Sequence, residues 1–201
     1  MQGERLDFFV FSIIESMPIL YTGKGDRGKS VVGKRKIDKN NLVIEVLGDL
    51  DQLNSLCGLV KARMKDRRLK RTLHDVQEAL FIVQANLAYL MYPKFKPPVF
   101  MTARVEALET IIDGIEKRIE VRRAFVIPGS NEESAWLDYL RTVAREIERS
   151  VLRLSKQKSF GKLKARKEIL AYLNRLSSLF FALARHTAKR KRIREPSPTY
   201  R

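Results

Sequence analysis

The chain has one cysteine, Cys57, two histidines and one tryptophan in 201 residues. A single thiol excludes an internal disulfide and fits a reducing cytosol. One cysteine and two histidines also fall short of the four soft ligands of a structural zinc site. Glycine and proline are sparse, at ten and seven positions, while 44% of residues are apolar; this is a globular composition, not a disordered one. No apolar run approaches the roughly 20 residues of a membrane span. The one candidate, FFVFSII (8–14), is short, is flanked by Asp7 and Glu15, and lacks a basic leader and cleavage site. These absences describe a cytoplasmic protein with no membrane partner, and its length suits one well-buried domain.

Acidic residues are also in short supply. Forty Lys and Arg face twenty-three Asp and Glu, leaving a formal net charge of +17. Such a field attracts polyanions: nucleic acid, membrane surfaces or phosphorylated small molecules. Much of it lies in KARMKDRRLKR (61–71), RLSKQKSFGKLKARK (153–167) and KRKRIR (189–194). All three fall at or near the ends of apolar-periodic segments, where solvated helix ends and a frayed tail account for them equally well. The tail, closing in EPSPTYR, is expected to be disordered from about residue 190.

What is abundant is helical period. Leu73, Val76, Leu80, Val83, Leu87 and Leu90 recur at three and four and predict a helix over about 70–92. YPKFKPP (92–98) ends it, because consecutive prolines cannot continue a helix. Thr102 is expected to cap a segment over about 102–120, and IPGSNEES (127–134) reads as a turn with capping residues. The next helix, about 133–155, carries Trp136, Leu140, Val143, Ile147, Val151 and Leu154; the last, about 166–189, carries Ile169, Leu173, Leu176, Phe180 and Leu183. An earlier one, roughly 49–65, begins at Asp49 or Asp51. Five helices with short connections make an all-α antiparallel five-helix bundle. Residues 18–47 differ, with glycine, charge and two β-branched runs, SVV and LVIEV, and read as one extended, loop-like, Gly-rich segment.

Inside that segment, Gly23 to Ser30 satisfies G-x-x-x-x-G-K-[ST], the phosphate-binding pattern of a P-loop. A true P-loop joins a buried parallel strand to a helix within an α/β fold. Here VVGKRKIDKNN comes next without helical period, and no strands alternate with helices downstream. The phosphate chemistry does not need that fold. Glycines at 23, 25 and 28 let backbone N–H groups converge on an anion, and Lys24, Arg27 and Lys29 supply charge. A basic surface loop fits the same pattern.

YTGKGDRGKS (21–30) resembles the N-terminal signature of the ATP:cob(I)alamin adenosyltransferases of the propanediol-utilisation type. GDLDQLNSLCG (48–58), AFVIPGS (124–130), LRTVAREIER (140–149) and YLNRLSSLFFALAR (172–185) come after it in family order at family-like spacing. The resemblance implies a five-helix bundle assembled as a homotrimer, with active sites between subunits. It also implies a start near Met17, leaving residues 1–16 as an extension or a mispredicted start.

The implied reaction moves the 5′-deoxyadenosyl group of ATP onto the cobalt of a reduced corrinoid, cobalamin, and releases triphosphate, with Mg²⁺ accompanying the nucleotide. The organometallic step belongs to the corrinoid; the protein supplies orientation and cationic and N–H donors for the leaving group. On this resemblance Thr22, Gly23, Lys24, Gly25, Asp26 and Ser30 form the polyphosphate loop, with Lys39 nearby. Arg141, Arg145 and Arg149 lie four apart on one helix face, away from the core stripe of Leu140, Val143 and Ile147. Like charges at that spacing repel by a few tenths of a kcal/mol per pair unless an anion faces them. A solvated basic face is the plain alternative. The family match gives Arg145 to the phosphates and pairs Arg141 with Asp51 of a neighbouring subunit; taken alone, Asp51 is a helix-start carboxylate. Glu148 and Asn174 match residues beside the nucleotide, and Phe125 matches an aromatic under the lower corrin face. Phe125 by itself reads as core.

Three positions depart from the family pattern. Glu146 stands where an arginine is usual, Asp138 where a histidine is, and Ser178 where an aspartate is. A flavin-dependent corrinoid reductase and an adenosylcobalamin-dependent enzyme are the implied partners. Two other readings stay open: a basic helical protein that binds nucleic acid through phosphate contacts, and a non-catalytic carrier or sensor of nucleotide or corrinoid. Against the first, no recognised nucleic-acid motif appears and aromatics are not interleaved with the basic runs.

Overall fold

A computed structural model describes residues 20–21, 23–94, 96–119 and 124–200. The N-terminal extension (1–16) and Thr22 lie outside the described residues. Five helices come after a small antiparallel hairpin: β1 (Lys29–Val32), β2 (Arg35–Asp38), α1 (Leu42–Arg63), α2 (Arg67–Met91), α3 (Ala103–Glu116), α4 (Glu132–Ser155) and α5 (Arg166–Arg190). In space they run α2–α1–α4–α5–α3: α1 packs on α2 and α4, and α5 is flanked by α4 and α3. This is the helical bundle the sequence implied. Among the described residues no helix is long and apolar enough to cross a membrane.

The segment expected to be extended over 18–47 divides in two. KSVV does form a strand, paired with Arg35–Asp38 in the register Ser30 to Ile37 and Val32 to Arg35. LVIEV does not. It opens α1, because the Asn41 side chain accepts from the Val43 amide at 3.0 Å and caps a helix there. Val43, Val46, Leu50 and Leu53 then share one buried face, so helical spacing prevails over β-branching. Asp49 and Asp51 therefore sit inside α1, and neither starts it. The helix-start role for Asp51 is thereby corrected.

The other helix ends obey their side chains. Asp66 accepts from the amides of Arg68 (2.7 Å) and Leu69 (3.2 Å) and starts α2 three residues before the expected boundary. Asn131 and Ser134 form a reciprocal capping box on α4. Thr102 stands at the start of α3, but its side chain makes no capping bond; its carbonyl instead accepts from the Val105 and Glu106 amides. α3 ends at Glu116, short of the expected 120, and residues 117–119 form a turn.

The core is one cluster spanning all five helices. Leu50, Leu53, Leu73, Leu80, Leu87, Leu140 and Phe180 are fully buried, each worth about 1.5–3 kcal/mol of apolar burial. Trp136, expected on the core stripe, is only half-buried and lies under the Arg63 guanidinium, 5.3 Å from the ring centre. Beyond Arg190 the described residues form no helix or strand, yet Glu195 and Pro196 make specific contacts with the bundle.

Candidate functional site

The glycine-rich loop is built from two consecutive turns. The Asp26 amide donates to the Gly23 carbonyl at 3.3 Å, and the Gly28 amide to the Gly25 carbonyl at 3.1 Å. Gly23 and Gly28 have φ of +63° and +72°, in the left-handed region that disfavours any side chain. Gly25 is close to Lys39: a methyl placed there would lie 3.4 Å from Lys39 Nζ. The Lys39 amide also donates to the Gly28 carbonyl at 2.9 Å, so the chain beyond β2 folds back over the loop. Lys29 and Asp38 form an ion pair across the hairpin, and Ser30 is half-buried in β1. Ser30 thus leads into the rest of a strand and a turn, not into a helix, and the P-loop pattern sits outside a P-loop fold.

On α4 the three arginines separate by environment. Arg141 is half-buried; Arg145 and Arg149 are exposed. Arg141 and Arg145 line a cleft of about 400 Å³ over α5, walled by Ile112 and Ile115 of α3 and floored by Ser178 and Phe181. Arg145 has no ion-pair partner among the described residues. The nearest carboxylate to Arg141 is Asp138, one turn earlier, with Nε to Oδ1 at 3.8 Å. Asp51 is exposed on α1 and makes no ion pair with the described residues of its own chain, so the pairing expected across a subunit boundary has no competitor among them.

Glu148 and Asn174, matched separately in sequence, meet in the structure. Asn174 Nδ2 donates to Glu148 Oε1 at 2.7 Å, joining α4 to α5. Arg175 extends the link: Nη1 donates to Asn174 Oδ1 at 2.8 Å and Nε to Glu109 Oε1 at 2.8 Å, reaching α3. The amide of Asn174 is thereby fixed, with its oxygen as acceptor and its nitrogen as donor. Phe125 is 77% exposed on the 124–130 loop, which overturns its reading as core and leaves a bare aromatic face.

Of the three departures, Glu146 is exposed, Ser178 lies at the cleft and Asp138 is buried. Asp138 is not alone. Arg185 Nη2 donates to Asp138 Oδ2 at 2.5 Å, and Arg185 Nε lies 2.8 Å from Glu195 Oε1. Arg185 and Phe181 also stack, with the guanidinium 4.9 Å from the ring centre. Neither Arg185 nor Glu195 was legible as a site residue. The one signal was a carboxylate at 138, on a helix whose neighbours in the stripe are apolar.

A helical bundle with a glycine-rich loop, two arginines on one cleft and an exposed aromatic stands outside the P-loop class. The sequence model of the family described as cobalamin adenosyltransferase matches residues 20–187. The chain belongs to that family. It is 33% identical over 169 residues to a corrinoid adenosyltransferase of Citrobacter freundii, covering 83% of this chain and 93% of the relative. It is likewise 33% identical over 170 residues to a corrinoid adenosyltransferase of Bacillus subtilis, covering 83% and 84%. Against the corrinoid adenosyltransferase PduO of Salmonella typhimurium, 32% identical, the match covers 83% of this chain and about half (48%) of the relative's length. Among solved structures, a phenylalanine-to-alanine variant of a PduO-type ATP:corrinoid adenosyltransferase from Lactobacillus reuteri, complexed with cobalamin and ATP, superposes with a TM-score of 0.80 at 25% identity. It covers 90% of this chain and 99% of that one.

Proposed function

We propose that this chain is an ATP:cob(I)alamin adenosyltransferase. The cobalt(I) lone pair attacks C5′ of ATP, a cobalt–carbon bond forms, the C5′–O bond breaks, and its electron pair leaves with triphosphate. The protein has two tasks in that step: to hold ATP so that C5′ faces the metal, and to stabilise negative charge gathering on the leaving group. The observation that carries the reading is the arginine pair. Arg145, without a carboxylate partner among the described residues, and Arg141, whose nearest one stands at 3.8 Å, open together on one cleft.

Around them the other residues take their places. Gly23, Lys24, Gly25, Asp26 and Ser30, with Thr22, form the phosphate loop, and Lys39 adds charge over Gly25. Asn174 and Glu148, already bonded, present an amide and a carboxylate to the nucleotide. Phe125 covers the lower corrin face, excluding an axial ligand and leaving a four-coordinate Co(II) that is easier to reduce.

Magnesium would travel with the triphosphate and supply charge neutralisation there. Among the described residues no group of three or more His, Cys, Asp or Glu could hold a metal, so in this reading the ion is bound mainly by phosphate and water. Asp51 is exposed and makes no ion pair among the described residues, which favours a site completed between subunits of a homotrimer. A flavin-dependent reductase upstream and an adenosylcobalamin-dependent enzyme downstream are the partners this chemistry calls for.

The test is anaerobic: protein, ATP, Mg²⁺ and chemically reduced cob(I)alamin, followed by visible absorbance. Conversion to the adenosylcobalamin spectrum is expected, falling about 10²–10³-fold in kcat for Arg145→Ala. Full turnover by Arg145→Ala would remove that arginine from the mechanism. No conversion with ATP still bound would favour a carrier or sensor.

A further inference from the structure

The family match ends at residue 187, and the C-terminal segment beyond it is tied to the cleft. Its anchor is a buried charge cluster. Asp138 and Arg185 are 3% and 7% exposed, and a buried guanidinium is costly unless charge and hydrogen bonds surround it. Asp138 alone faces two arginines, Arg185 at 2.5 Å and Arg141 at 3.8 Å. Glu195 brings the second carboxylate, 2.8 Å from Arg185 Nε. With it the cluster balances, two cations to two anions. Without it, Asp138 would face both guanidiniums alone, Arg185 at Oδ2 and Arg141 at Oδ1.

The same segment holds the loop that bears Phe125. The Ile127 amide donates to the Pro196 carbonyl at 2.9 Å, and Ser130 Oγ lies 3.5 Å from Glu195 Oε1. Adjacent residues of the tail thus touch both sides of one site: the arginine cluster through Glu195, and the exposed aromatic's loop through Pro196.

We propose that Glu195 is a positioning residue for the corrinoid side of the site, with residues 195–196 acting as a strap that ties Arg185 of α5 to the Phe125 loop. This rests on the transferase reading above. Among the described residues the strap makes no hydrogen bond or ion pair with Asn174, Arg141 or Arg145, whereas it holds the Phe125 loop, so its effect is expected on corrinoid.

The test compares the full chain with Glu195→Gln and with a chain ending at Arg194. Amide hydrogen exchange at Ile127 comes first, since it needs no ligand: protection in the full chain that is lost in the truncated one is expected. Equal exchange in both overturns the strap, whether or not the protein turns over. In anaerobic turnover, both variants are expected to raise the corrinoid KM about tenfold while the ATP KM stays within about twofold. The four-coordinate fraction of cob(II)alamin bound beside ATP, read from its absorbance, is expected to fall with them. An unchanged corrinoid KM overturns the proposal. So does a parallel rise in both KM values with a lowered Tm, which would mark a merely structural contact. A full chain that gives no adenosylcobalamin, with Ile127 still protected only in the presence of the tail, overturns the enzyme reading and not the strap.

Discussion

Cys57 shows what a single position contributes. It lies fully buried in α1, and burial pushes its thiol up to about 12, against a weaker downward pull from Lys61. Reactivity belongs to the thiolate, so this sulfur is inert near neutrality. Native protein is expected to show no labelling by a thiol reagent over an hour, with one equivalent consumed in denaturant; rapid native labelling would contradict the burial. At this scale the sequence was legible in part. Arg141, Arg145, Glu148 and Asn174 were named from their blocks, and the structure puts the first two on one cleft and bonds the last two together. Arg185 was not found, because spacing cannot say which of many cations turns inward to meet a buried carboxylate. Phe125 was placed by the family match alone; its own neighbours, Val126 and Ile127, made it look like core.

At the level of elements, the caps and the hairpin decide local order. Asp66 is nudged up by burial, but the Leu69 and Arg68 amides and the Arg190 guanidinium outweigh this and hold its carboxyl below the usual range. A carboxylate with a depressed folded pKa adds stability above its unfolded pKa, and that stability is lost as pH falls through the folded value. Asp66→Ala is therefore expected to cost about 1 kcal/mol near neutrality, with the gap to the parent chain closing in thermal melts as pH falls below the usual aspartate range. A gap that persists in acid would show that the cap works without its charge. The hairpin offers a second case. Gly33 turns β1 into β2 at φ +60°, and a Cβ there would stand 2.7 Å from the Tyr92 ring. Gly33→Ala meets both backbone strain and a clash, together about 1–3 kcal/mol. Calorimetry is expected to show weaker ATP binding, with Tm lowered by about 2–12 °C; unchanged ATP affinity would detach the hairpin from the phosphate loop. The helices themselves were legible through their period. The start of α1 was not, since LVIEV carries a strand's residue types and only Asn41 marks the cap.

Over the whole molecule the open matter is assembly. Asp51 is exposed on α1, with no ion pair among the described residues. If sites form between subunits, each takes residues from two chains. Asp51→Ala and Arg145→Ala are each expected to be nearly inactive alone. Mixed by co-expression, random assembly restores about a quarter of the sites, because one interface in four draws both intact residues. No recovery on mixing, with trimers confirmed by mass, would place both residues in one subunit's site. The fold at this scale was legible because five periodic segments admit few arrangements. The net charge of +17 was legible too, but only part of it finds a use. Among the cations that do, Lys61 donates to Gln77, Arg63 to Glu132, and Lys191 pairs with Glu133.

The helix order α2–α1–α4–α5–α3 also bears on how the chain is made. α5 lies between α3 and α4, yet it is the last of the five to leave the ribosome, so until then those two expose the apolar faces it will cover. During synthesis α1, α2 and α4 can close on one another before α5 appears. α3 must wait for α5, and a nascent chain stalled before Arg166 would present the uncovered faces of α3 and α4 to chaperones.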